Sequence, residues 1–86
     1  MPKFASCASV AAQALYAFRK GDGTGRESAL ASAERLFRQS PDLDSNEAER
    51  IEALHGAILA LNGSRREQIQ AGIYLLEHLA SRPQIA

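Results

Sequence analysis

The feature that most constrains this chain is a helical apolar rhythm that breaks at three places. Phe4, Ala8, Ala11, Leu15 and Phe18 follow one another at steps of four, three, four and three, which puts them on one stripe of a helix. Gly21 interrupts the rhythm, and Arg19 and Lys20 just before it suit the negative end of a helix dipole, so a first helix is expected over about residues 4–20. GDGTG then reads as a flexible polar connection. Thr24 and Glu27 have the spacing of a capping box, in which the threonine oxygen accepts an orphan backbone N–H, so a second helix is expected from there. It carries Ala29, Leu30, Ala33, Leu36 and Phe37 on one face and stops at Ser40-Pro41, because proline disfavours helical geometry in its predecessor. After DLDSN, whose acidic and cap-forming residues suit a helix start, a third helix keeps Ile51, Leu54, Ile58 and Leu61 in register.

Asn62-Gly63 ends that helix by the same logic as Gly21, with the glycine expected in the left-handed conformation. Ser64 and Glu67 repeat the capping-box spacing, leaving Arg65 and Arg66 in an exposed first turn. The fourth helix carries Ile69, Gly72, Ile73, Leu75, Leu76, Leu79 and Ala80 and stops at Arg82-Pro83. Its apolar arc is wide enough to touch more than one neighbour. No stretch alternates β-branched with polar residues, so no strand is expected. The expected fold is all-α: four helices in two consecutive hairpins, forming one domain over residues 1–86.

The two halves share their punctuation. Gly21, Ala29, Ala33, Phe37 and Pro41 fall on Gly63, Ala71, Leu75, Leu79 and Pro83 at an offset of 42 residues, and Ala14 and Ala17 fall on Gly56 and Leu59. The small residues near the end of each first helix, the glycine after it, the alanine early in the second helix and the proline after that (Ala14, Gly21, Ala29, Pro41; Gly56, Gly63, Ala71, Pro83) resemble a tetratricopeptide-repeat (TPR) hairpin over about residues 10–83. Two departures bear against superhelical stacking: the family period is about 34 residues, and the aromatic signature of its first helix is absent here. The fold implied is a TPR-like pair of hairpins, or a compact bundle. The run LNGSRREQIQAGIYLL after a short apolar hairpin is also similar to small TPR-like type III secretion chaperones that hold needle subunits, and implies a chaperone-like role.

Charge and size narrow the function. Ten basic residues balance ten acidic ones, so no general attraction to nucleic acid or an anionic membrane is expected. With 86 residues the chain has little stability to spare, and a partner or self-association would add to it. The single Cys7 excludes an intramolecular disulfide, and the absence of zinc-ligand spacing in so short a chain points to a reducing compartment, the cytoplasm. The arginine and alanine bias suits a high-GC bacterial or phage gene. FASC lies too early for a lipoprotein signal, Gln13 interrupts the N-terminal apolar run, and no run approaches a membrane span.

Catalytic and metal chemistry finds little purchase. Glu52 and His55 have the E-x-x-H spacing of di-iron bundles, but the second such pair is missing, since Glu77 and His78 are adjacent. Cys7 has no helix N-terminus clearly beneath it and no basic neighbour nearer than Lys3, so it is expected to pack. No enzyme activity, metal or cofactor is expected. Arg26, Arg65 and Arg66, with Arg35 and Arg38, suggest a nucleic-acid patch, diluted by Glu34, Glu67 and the acidic segment after Pro41. Tyr16, Leu59 and Tyr74 fall off the apolar stripes of their helices, where large amphipathic side chains favour protein contacts. Helix 1, nearly apolar around its circumference, is either central or covered by another chain. The leading expectation is a small protein-interaction module (adaptor, chaperone or inhibitor) that docks a segment of another protein against helices 1 and 4. Alternatives are a homodimer paired through helix 1, and a nucleic-acid-binding regulator using the arginines.

Overall fold

In the computed structural model four helices follow one another: α1 (Cys7–Lys20), α2 (Gly23–Arg38), α3 (Ser45–Leu61) and α4 (Arg66–Ser81). The described residues are 6–39 and 45–81, and among them no strand occurs. Phe4 on the first stripe, the Ser40-Pro41 and Arg82-Pro83 stops, and most of the DLDSN break lie outside them.

The joint between α1 and α2 is tighter than its sequence suggests. Gly21 adopts the left-handed conformation, at φ 76°. Its N–H donates to the Phe18 carbonyl at 3.1 Å, and the Asp22 N–H reaches the Ala17 carbonyl at 2.8 Å. These two bonds satisfy carbonyls that the end of α1 would otherwise leave orphaned. Asp22 then starts α2 in its turn, its carboxylate accepting the Gly25 N–H at 3.0 Å. The expected cap at Thr24 is therefore corrected to Asp22, and GDGTG is no loop, since Gly23, Thr24 and Gly25 are already helical. The physical reason is that a carboxylate at the positive end of a helix gains from the dipole as well as from the hydrogen bond. At α1, Ser6 caps the helix by accepting the Ser9 N–H at 3.1 Å.

The second hairpin is joined differently. Among the described residues only Gly21 has positive φ, so the left-handed Gly63 expected after α3 is corrected. The Asn62 and Gly63 N–H groups instead turn back onto the Leu59 and Ala60 carbonyls, both at 3.1 Å. The Leu61 carbonyl accepts from Arg26 Nη1 at 3.4 Å, so an arginine at the start of α2 serves the end of α3. Helix α4 begins at Arg66, and its first turn is anchored by the Ile69 N–H on the Arg65 carbonyl at 3.0 Å. That start lies beyond the position that would make Ser64 the cap.

Packing follows from side-chain size. Ala11, Ala14 and Ala17 of α1 and Ala29 and Ala33 of α2 are all buried, which brings those two helices close. A Cβ on Gly25 would come within 2.8 Å of the Ala17 Cβ. Leu54, Ile58, Leu61, Leu76 and Val10 fill the middle. The apolar register expected for α3 is borne out, with Ile51, Leu54, Ile58 and Leu61 all buried. Removing such apolar surface from water is the main stabilising contribution.

Helix α1 packs against all three others, while α2 and α4 do not touch among the described residues. Helix α3 likewise packs against all three others, so α1 and α3 share the centre of a compact bundle, the packing of α1 on α4 closing the ring. Interhelical contacts give the directions. Arg26 meets Leu61 and Glu34 meets His55, so α2 and α3 run antiparallel. Arg19 in the last turn of α1 pairs with Glu77 near the end of α4 at 2.6 Å, which brings the C-terminal ends of the two helices together.

The shared punctuation of the two halves does not extend to packing. Ala14 is buried and Gly56 exposed; Ala17 is buried and Leu59 exposed; Phe37 is 39% exposed while Leu79 is buried. The hairpins are similar in length but bury different faces.

Candidate interaction surface

Among the described residues four large apolar side chains remain exposed: Tyr16 (65%), Phe37 (39%), Leu59 (47%) and Tyr74 (75%). Three are the residues read from the sequence as partner-binding. Phe37 is a correction, since its place on the apolar face of α2 predicted burial. It lies in the last turn of that helix, where its ring stacks on His55 of α3, centroids 4.9 Å apart and planes 13° from parallel.

Leu59 and Tyr74 belong to the two helices that bound a surface groove. On the α3 side the groove is lined by Ala53, Gly56, Ala57 and Ala60, and on the α4 side by Ala71, Gly72 and Leu75. A second hollow adjoins it, sharing Gly56, Ala60 and Ala71 and extending to Leu59 and Gln68. The first measures about 220 Å³ and the second about 330 Å³. Their cause is local. A Cβ on Gly72 would meet the Ala57 carbonyl oxygen at 2.8 Å, so the helices cross at close range, and most residues lining the hollows are alanine or glycine. Around Gly56 the surface is open, with nothing within 4 Å of where a Cβ would stand. The sequence signal existed in the small residues at positions 53, 56, 57 and 60 and at 71 and 72, but it was read as punctuation and repeat.

Tyr16 lies apart, on α1. Its hydroxyl accepts from Lys20 Nζ at 3.2 Å, and the ammonium lies 5.2 Å from the ring centroid. It stands one turn before Arg19, as Tyr74 stands one turn before Glu77, so each tyrosine flanks one member of the bridge between α1 and α4.

The other candidates find structural partners. His55 is half-buried against Phe37, its Nε2 4.0 Å from Glu34, while Glu52 is exposed. Arg26 leaves the suggested basic patch: its guanidinium lies over the Phe18 ring at 5.6 Å and serves the end of α3. Arg35, Arg38, Arg65 and Arg66 are exposed. Cys7 is the first residue of α1, so the expectation that no helix N-terminus lies beneath it is corrected. It packs, as expected, and burial pushes the thiol up; the nearby Arg50 charge pulls it down and Glu47 adds to the rise. A helix N-terminus ordinarily favours a thiolate, but here desolvation by the start of α3 is the larger effect.

Among the described residues no helix is long and apolar enough to cross a membrane. No protein-family model, no curated protein and no solved structure matches the chain.

Proposed function

We propose that the chain is a small protein-interaction module, an adaptor, chaperone or inhibitor, that binds a protein segment on apolar helix faces in the cytoplasm. The observation that carries this reading is the α3–α4 groove, an apolar depression that no other described residue covers and that is bounded by helices exposing Leu59 and Tyr74. Contiguous apolar surface of this kind marks contact sites more often than isolated exposed side chains do. Shallow hollows floored by alanine and glycine suit the apolar face of a helix or a few side chains of an extended segment. The helical-hairpin resemblance to TPR proteins and to small secretion chaperones supports the same class of function. The groove supports a binding face on α3 and α4, in place of the α1 and α4 pairing expected from sequence.

Binding, and not catalysis, is favoured because the one nucleophilic cysteine is buried with its thiolate disfavoured. Nucleic-acid binding has less support, since Arg26 is engaged within the fold. A steep loss of affinity with added salt would mark that alternative.

The test is affinity capture with the wild-type chain and with a Leu59→Glu/Tyr74→Glu variant of unchanged helicity. The reading expects a protein retained by the first and lost by the second. The same proteins on both would overturn it.

A further inference from the structure

We propose that the occupant of the α3–α4 groove is a second copy of this chain, packed antiparallel across a two-fold axis at Gly56. This rests on the reading of the groove as a contact surface and commits it to one partner.

The first argument is steric. Gly56 lies near the middle of the groove, and the space where its Cβ would stand is empty to 4 Å. It is therefore the point at which a second backbone approaches most closely. Ala53 and Ala60 one turn to either side keep that approach open. An antiparallel α3 crossing at Gly56 carries its own exposed Leu59 to the hollow of the first copy, and the relation is reciprocal, as two-fold symmetry requires.

The second argument is charge complementarity. Glu49 lies seven residues before Gly56, two turns away on the same side of α3, and it is exposed, as is Glu52. On the other side of Gly56 the chain leaves α3 at Leu61 and passes through exposed Arg65 into α4. The groove itself is lined by no charged residue; its flank at Glu49 and Glu52 is acidic, and its flank at Arg65 and Arg66 is net basic with Glu67 beside them, with the glycine between. A copy turned by two-fold rotation at Gly56 sets its Glu49 against Arg65 and the N-terminus of α4, and its Arg65 against Glu49. A parallel copy would oppose like charges, so the layout selects one orientation. The face also sets the strength. With 17 residues in α3, a helix about 25 Å long beside α4 buries roughly 500 Å² per copy, near the lower limit of specific interfaces, so the dimer is weak and concentration-dependent.

Sedimentation equilibrium of the full chain tests this. The mass rises from 9.3 kDa toward twice that value as concentration approaches about 1 mM. Gly56→Leu, whose Cβ meets nothing within 4 Å in the monomer, weakens association about tenfold or more. Glu49→Arg and Arg65→Glu each weaken it at low salt, and the two together restore it to within about threefold of wild type. A chain that stays monomeric, or a dimer indifferent to Gly56→Leu and to the charge exchange, overturns the proposal. A monomer that still captures a protein through Leu59 and Tyr74 overturns the self-pairing alone and leaves the interaction module standing.

Discussion

Gly72 of α4 lies so close to Ala57 of α3 that a Cβ on the glycine would stand 2.8 Å from the alanine carbonyl oxygen. That approach brings the second hairpin together and hollows its outer surface. Gly56, the neighbour of Ala57 on α3, has open space instead. The two glycines should respond oppositely to one substitution. Gly72→Ala forces the helices apart and destabilises by about 1 kcal/mol or more, overpacking outweighing the gain in helix propensity. Gly56→Ala stabilises by roughly 0.5–1 kcal/mol. Denaturant unfolding of the two variants checks both signs.

Asp22, not Thr24, caps α2. Asp22→Ala is expected to cost about 1 kcal/mol through the lost bond to Gly25. Thr24→Ala leaves stability within about 0.5 kcal/mol of wild type, since alanine is the better helix former there. Equal losses in both variants would restore the capping box.

Arg26 holds the ends of three helices, lying over Phe18 of α1 and donating to Leu61 of α3. Arg26→Ala is expected to destabilise by about 1–2 kcal/mol, where the exposed Arg65→Ala stays within about 0.5 kcal/mol. Thermal unfolding of the pair separates an arginine of the fold from an arginine of the surface.

The Cys7 thiol is pushed up from its ordinary 9.0 by burial. In the unfolded chain it ionises at its ordinary value, so above that pH the unfolded state gains by losing a proton that the folded state keeps. Stability is therefore level below about pH 8 and falls as pH rises beyond it. Cys7→Ala removes this slope, whatever it does to stability at neutral pH. Alkylation of the native thiol is correspondingly slow compared with the unfolded chain.

Arg19 and Glu77 pair at 2.6 Å, but both side chains are at least half exposed. A double-mutant cycle is expected to give a coupling of only about 0.2–1 kcal/mol, diminishing with added salt. The bridge orients α4 on α1 more than it stabilises the bundle.

What local chemistry governs was legible in the residues. The four helices, the left-handed Gly21 and the buried register of Ile51, Leu54, Ile58 and Leu61 follow from period, glycine and side-chain size, which act within a few residues. The exposure of Tyr16, Leu59 and Tyr74 followed from their places off the apolar stripes. Where two local signals competed, as Asp22 with Thr24, the spacing rule chose the wrong cap because it weighs hydrogen-bond geometry without the carboxylate's gain at the helix dipole.

Tertiary structure alone decided which apolar residues found a partner. Phe37 and Leu79 occupy matching places in their hairpins, yet one stacks on His55 and stays 39% exposed while the other is buried. Cys7 received Arg50 and Glu47 as neighbours from far along the chain. The groove beside Gly56 likewise exists only because Gly72 lets α3 and α4 cross so closely that their small outer residues leave a hollow. Helix period specifies a face, and the helices that meet it determine how much of that face stays in water.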